Sequence, residues 1–435
     1  MTYSRTQSRR KTRRRARILF YVNFMLLAVV LGVGALVVYE LMDGSDGDQA
    51  SQAPVESAPQ TAPAQGQDQD QEPLPTAGEE PDDSAAGGVE APSEEASEES
   101  SGELPADTSS NGDSQAVNLA FVGDILLAAR VEEYITKNGV DYPFLKASSL
   151  LQAADITAGN LENPITERGT PAEDKTYVFK GKPESLQGIK NAGIDVLTLA
   201  NNHTLDQGWE GLSDTMDYLD DTGIDHVGSG NDATEAYTAA FREHNGIRVA
   251  YIGVTNVVPV TEWKADKNHP GVAETYDTTR AVQAIKDAKE LADIVVVMVH
   301  WGKEKVQQPI EKQTTVGHTF IDAGADLVIG SHPHVLQGFE RYKGKWIAYS
   351  LGNFVFTSAG DRLTQETGVL EAACTKQGEC SMKFNPMLSA YAQPAPMDAE
   401  EGAALLSKLS ELSAPYGVAV KSDGSIVPGE GASSP

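Results

Sequence analysis

Six short, nearly uninterrupted runs of aliphatic and β-branched residues constrain this chain more than any other feature. They lie at 117–122, 196–199, 248–254, 294–299, 327–329 and 346–349. A strand with one wet face alternates apolar and polar residues, so a run without alternation reads as a strand buried on both faces. Helical patterns sit between the runs. In 208–221 the residues Leu212, Met216 and Leu219 share one face, and 281–292 and 316–323 look alike. Three times a helical stretch closes on Gly, then a residue, then Asp, and a strand follows: Gly193-Ile194-Asp195, Gly223-Ile224-Asp225 and Gly324-Ala325-Asp326. Glycine there supplies the left-handed turn that ends a helix. Strands alternating with helices predict an α/β domain over 115–395. The tail, 396–435, shows one helical pattern at 399–412 and then turn-rich sequence, expected to be weakly ordered.

The polar residues that follow the strands carry the chemistry. Asp124 follows the first run through Gly123. Asn160 and Glu162 follow a further strand candidate at 156–159. Asn201, Asn202 and His203 follow 196–200. His300 follows 294–299, His332-Pro333-His334 follows 327–331, and Asn353 lies just past 346–351. Ligands of open α/β sheets bind outside the carboxyl ends of the strands, so these residues read as one converging constellation. Each alone is weak: a lone histidine at a strand end is more often structural, Gly-Asp is usually a turn, and Asn201-Asn202 suits a helix cap. Together, two carboxylates, an asparagine and several histidines make a mixed nitrogen and oxygen set for divalent transition metals. The ligand count suits two ions about 3.5–4 Å apart, the arrangement of many phosphoester hydrolases.

Other chemistries lack their residues. No Gly-x-Ser-x-Gly elbow occurs in 115–395, and no phosphate-binding Gly-x-x-x-x-Gly-Lys-Ser/Thr loop occurs at all. Gly228-Ser229-Gly230 has no third glycine at dinucleotide spacing and reads as a turn. Two cysteines exclude a disulfide-dense scaffold or a cysteine-rich zinc module.

Charge divides the chain. Residues 1–17 carry eight positive charges and no acid, 18–39 carry none, and 40–113 carry twenty acids and no base. Of the net −29, the part before 114 therefore holds −12 and the remainder −17. A nucleic-acid partner is excluded on that balance, because phosphates are neutralised by a surplus of Lys and Arg. The 22 residues of 18–39, of which only Asn23 is strongly polar, are long enough for a bilayer core of roughly 30 Å. The Arg-rich flank places 1–17 in the cytoplasm and the rest outside. A cleaved signal peptide would have a shorter apolar stretch and a small-x-small site, whereas here Tyr39-Glu40-Leu41-Met42 follows, which favours an uncleaved transmembrane helix. Residues 40–114 have almost no aliphatics and read as a disordered, extended acidic linker.

Six motifs in order then resemble a known family. They are Gly123-Asp124, Gly159-Asn160-Leu161-Glu162, Asn201-Asn202-His203-Thr204-Leu205-Asp206-Gln207-Gly208, His300-Trp301-Gly302-Lys303-Glu304, Gly330-Ser331-His332-Pro333-His334-Val335-Leu336-Gln337 and Ser350-Leu351-Gly352-Asn353-Phe354. Over about 117–360 the chain resembles the bacterial capsule-synthesis CapA family, including the PgsA-like membrane proteins of poly-γ-glutamate production. That family is similar in turn to the calcineurin-like metallophosphatases. The resemblance implies a four-layer α/β/β/α sandwich and one or two divalent ions, Mn, Fe or Zn. It makes Asp124 and Glu162 metal carboxylates, with Glu162 bridging. It gives Asn202, His300 and His332 to one ion, and His334 with Asp124 to the other. His203 would be the acid beside the leaving group, oriented by Asp206. Phosphatases place a histidine two residues after the first aspartate, and here that position is Leu126. The resemblance also implies capsule-synthase membrane subunits as partners and an anionic polymer or phosphoester as substrate. A non-catalytic accessory subunit with a structural or vestigial metal site is the alternative. Cys374 and Cys380 flank a Gly-containing turn, and both a bridge and two free thiols remain open at this point.

Overall fold

The computed structural model describes residues 116–357 and 360–429 of the 435. The expected basic tail, membrane helix and acidic linker lie outside the described residues. Among the described residues no helix is long and apolar enough to cross a membrane.

In chain order the strands of the two large sheets are β1 (Ala116–Ile125), β2 (Ile156–Leu161), β3 (Ile194–Thr198), β4 (Asp225–Val227), β5 (Ala240–His244), β6 (Ile247–Thr255), β7 (Ile294–His300) and β8 (Leu327–Ser331). They continue with β9 (Phe339–Tyr342), β10 (Lys345–Ala348), β11 (Asn353–Val355), β12 (Glu366–Thr375), β13 (Cys380–Ala390), β14 (Gln393–Pro396), β15 (Val418–Val420) and β16 (Ser425–Pro428). The main helices are α1 (Arg130–Asn138), α2 (Ser148–Ala153), α3 (Leu186–Asn191), α4 (Gly208–Thr222), α5 (Thr279–Lys289), α6 (Glu311–Ala323) and α7 (Ala399–Ser413). Gly193, Gly223 and Gly324 all have positive φ where α3, α4 and α6 give way to strands.

The fold is mixed α/β with two large sheets. One has the order β15-β16-β13-β12-β1-β2-β3-β4, with β11 also paired to β1 and β14 to β13. The other runs β9-β10-β8-β7-β6-β5. The apolar runs are continuous because both faces of the central strands are covered. In β7, Ile294, Val296 and Met298 join a buried cluster with Leu119 and Phe121 of β1 and Val196 of β3. Its intervening Val295, Val297 and Val299 pack with Ala281 and Ile285 of α5 and Phe320 of α6. Ala120 and Val122 of β1 face Val131 of α1, Leu151 of α2, Ile189 of α3 and Met216 of α4.

One part of the sequence reading needs correction. The helical pattern at 399–412 is α7, but the described residues after it, up to 429, are not weakly ordered: Val418, Val420 and Ile426, with Leu405, Leu406 and Leu409 of α7, are buried in the cluster between the sheets. β15 and β16 have only three and four residues, too few for a visible alternation, yet they close one edge of the larger sheet. The run at 248–254 is also one arm of an antiparallel hairpin, β5–β6, whose first arm is too polar to read as a buried strand.

Cys374 and Cys380 face each other across the β12–β13 hairpin, with Cα atoms 4.1 Å apart, and are joined by a disulfide. Denatured, unreduced protein is therefore expected to show no reactive thiol in a titration, and two thiols after reduction. Two thiols without reductant would exclude the bridge.

Candidate metal centre

The strand ends bring the chemistry together through register. Asp124 of β1 pairs in register with Asn160 of β2 and with Asn353 of β11. This needs a glycine at 123: a Cβ there would lie 1.9 Å from the Gly352 carbonyl oxygen. The Asp124 amide donates to that same oxygen at 3.0 Å. The Gly-Asp pair is thus a strand crossing point rather than a turn. In the second sheet, His300 of β7 pairs with Ser331 of β8 and Thr255 of β6.

Asp124 and Glu162 are fully buried. One amide holds both: Asn160 Nδ2 donates to Asp124 Oδ1 at 2.8 Å and to Glu162 Oε2 at 2.5 Å. Asn201 Nδ2 in turn donates to Asn160 Oδ1 at 3.1 Å and to the Leu161 carbonyl at 2.7 Å. The Asn201 side-chain oxygen accepts from the His203 amide and the Thr204 hydroxyl, both at 2.9 Å. Asn201 therefore pins the loop that presents Asn202 and His203. It is not a helix cap, because α4 starts only at Gly208.

His300 Nε2 lies 2.9 Å from Asn202 Oδ1, and its Nδ1 lies 3.1 Å from Ser331 Oγ. The His332 amide donates to Asp124 Oδ2 at 3.4 Å. His334 Nδ1 lies 3.2 Å from Asp124 Oδ2 and 2.9 Å from Asn353 Oδ1. Ligand atoms of Asp124, Glu162 and His300 lie within 4.8 Å of one another, as do those of Glu304, His332 and His334. The grouping differs from the one the resemblance implies, since His332 falls with His334. The groups adjoin, because the His300 and His332 rings are 4.6 Å apart.

The electrostatics fit a cation. Burial first, and the neighbouring Asp124 second, push the Glu162 carboxyl up to about 8. Burial holds the His300 and His332 imidazoles well below their ordinary value, so both are neutral at pH 7. Burial also pulls His334 down, but its hydrogen bond to Asp124 and the surrounding carboxylates outweigh it and raise that imidazole to about 9. Glu162 Oε1 and His332 Nδ1 are buried without a hydrogen-bond partner. Such orphans are costly unless something else ligates them, and two carboxylates with neutral imidazoles suit a divalent transition metal.

His203 and Asp206 form a second cluster. His203 Nδ1 lies 2.7 Å from Asp206 Oδ2, which also accepts from the Phe179 amide at 2.8 Å. Lys175 was not visible in the sequence reading. Its ammonium pairs with Asp206 Oδ1, donates to the Asn202 carbonyl at 2.7 Å and lies 3.1 Å from His203 Nδ1. Burial draws both Lys175 and His203 below their ordinary values, against the pull of Asp206. Phe179 flanks the His203 ring at 4.6 Å. Asn160, Asn201, Asn353 and Glu304 were all present in the motifs, but their parts depend on register and loop contact. Leu126 is buried, its amide donates to the Val355 carbonyl at 2.8 Å, and its side chain offers no ligand.

Comparison with known proteins shows the family of the chain. Residues 118–358 match the family model described as bacterial capsule synthesis protein PGA_cap. The capsule biosynthesis protein CapA of Bacillus anthracis is 33% identical over 291 residues, covering 66% of this chain and 70% of the relative. The PGA biosynthesis protein CapA of Bacillus subtilis (strain 168) is 35% identical over 283 residues, covering 65% and 74%. A protein named "Probable polyglutamine synthesis accessory protein" from Mycobacterium tuberculosis is 33% identical over 248 residues, covering 54% and 64%.

Proposed function

Because this chain belongs to the bacterial capsule-synthesis family PGA_cap, we propose that it serves assembly or export of a poly-γ-glutamate-like capsular polymer through a metal-dependent hydrolytic site. The observation that carries the hydrolytic part is the buried Asp124–Asn160–Glu162 array, with an unpartnered carboxylate oxygen beside neutral histidines. Nothing in the hydrophobic core calls for two buried acids side by side. Sheets packed face to face with helices outside suit a metallophosphatase-like α/β/β/α sandwich. The basic tail, the apolar run at 18–39 and the acidic linker support a single-pass anchor that holds the domain outside the membrane. Membrane subunits of a capsule synthase are the partners this placement favours.

Asp124, Glu162 and His300, with Asn202 close by, would hold a divalent ion. Such an ion, when bound, polarises a phosphoryl or carbonyl oxygen and eases deprotonation of water. The chain's own residues do the rest. Asn160 fixes the two carboxylates against their mutual repulsion. Asp206 accepts from His203 Nδ1, which leaves Nε2 as the nitrogen that exchanges a proton with a leaving group. Lys175 shares the Asp206 carboxylate and fixes its orientation.

Leu126 favours a second reading, an accessory subunit whose metal centre is structural, because one expected ligand position is apolar. Metal analysis of the purified protein, followed by a phosphoester assay and a polymer-cleavage assay with added Mn²⁺, separates the two. Bound transition metal with metal-dependent turnover is the expected result. Bound metal with no turnover on either substrate class would favour the accessory subunit.

A further inference from the structure

We propose that Glu304, His332 and His334 form a second divalent-cation site beside the Asp124–Glu162–His300 group, with Glu304 as its carboxylate ligand; the inference rests on the metal-centre reading above. The first observation is proximity: ligand atoms of the three side chains lie within 4.8 Å of one another. The second is need. His332 is 5% exposed and its Nδ1 has no hydrogen-bond partner, so a buried lone pair or proton is left to be matched. The third is construction. The loop after β7 is stitched to the His-Pro-His segment by backbone: the Lys305 amide donates to the Pro333 carbonyl at 2.8 Å and the Trp301 amide to the Ser331 carbonyl at 3.1 Å. Gln337 Nε2 adds a bond to the Val306 carbonyl at 2.8 Å. Glu304 therefore sits on a braced loop.

The backbone on both sides adopts conformations that side chains with a Cβ seldom take. His332 has φ +97, His334 has φ +57 and Lys305 has φ +58. These turns set two imidazoles, separated by a single proline, beside one carboxylate. Leu126 removes a nitrogen ligand from the strand-β1 side, and Glu304 brings an oxygen ligand from the β7 side. An acid and two histidines suit Mn²⁺, Fe²⁺ or Zn²⁺.

The test is Mn²⁺ binding by the chelator-stripped full chain, read by isothermal titration calorimetry and by metal analysis after gel filtration. It compares wild type, Glu304→Gln and Glu162→Gln. Wild type is expected to take two equivalents. Glu304→Gln is expected to weaken one by about tenfold or more, keep the other, and melt like wild type in chelator because Glu304 is exposed. Two ions at wild-type affinity in Glu304→Gln would overturn the second site and leave the first standing. So would a wild type that holds one ion, released by Glu162→Gln and untouched by Glu304→Gln. A wild type that takes up no Mn²⁺ overturns both this site and the reading beneath it.

Discussion

Glu162→Gln is expected to lose metal from the Asp124 group, with affinity down by about 10²-fold or more, while the protein stays folded. The amide matches the carboxylate in shape but carries no charge to offset a cation. The variant also separates metal loss from unfolding through pH. In chelator, the wild-type Glu162 carboxyl titrates at about 8 when folded, against an ordinary 4.5. Between those values the folded state holds a proton that the unfolded state has released, so stability falls as pH rises. His334, raised from 6.5 to about 9, acts in the same direction between those two values. His300 and His332 are lowered, so their stabilising contribution is already complete above pH 6.5. Chelated wild type should therefore lose stability from pH 6.5 to 8, with the Glu162 share on the order of 2 kcal/mol. Glu162→Gln should keep only the shallower slope that His334 contributes. Saturating metal should remove the Glu162 share of the wild-type slope, because a bound cation keeps Glu162 ionised throughout. Thermal melts of both proteins across that range, with and without chelator, make the comparison. A variant that retains metal at wild-type affinity would show that Glu162 is not a ligand.

The central strands were legible because burial on both faces leaves no room for polar alternation, as in β7. Asp124, Glu162, His300, His332 and His334 stood out as candidates because each lies within a few residues of the end of a strand run. Lys175 was not: it lies in a loop without periodicity, 28 residues before His203, and only the folded chain puts its ammonium beside Asp206. Glu304 stood in a quoted motif, yet its partners His332 and His334 come from the next strand end. Asn160 stood beside Glu162, but its work of joining two carboxylates follows from the β1–β2 register. The strands after β11 escaped for another reason. They pair antiparallel, several are short, and β15 and β16 take their place through long-range pairing with β13 and packing with α7. Helix–strand punctuation was local, whereas closure of the sheet edge is a long-range event.

His203→Ala should keep its metal and lose turnover by about 10²–10⁴-fold, the usual worth of a general acid. His203 donates to Asp206 through Nδ1 and lies outside both ligand groups, so removing the ring leaves Asp124, Glu162 and His300 in place. A purely architectural His203 would instead start a helix, but α4 begins five residues later. Loss of the ring does open space against Phe179, so a modest drop in melting temperature is expected alongside the kinetic effect. Asp206→Asn should fall between wild type and His203→Ala in turnover, since an amide can still accept from Nδ1 but orients it less firmly. Its stability should drop further than that of His203→Ala, because Asp206 is fully buried and pairs with Lys175. Removing one partner of such a pair leaves the other charge uncompensated. Rates are therefore compared per folded molecule, with metal content measured on the same samples. Full turnover in His203→Ala would take the acid role away from His203, and with Leu126 it would move the balance to the accessory reading. Metal lost together with turnover would instead make His203 part of the ion's support, a result that Asp206→Asn should then share.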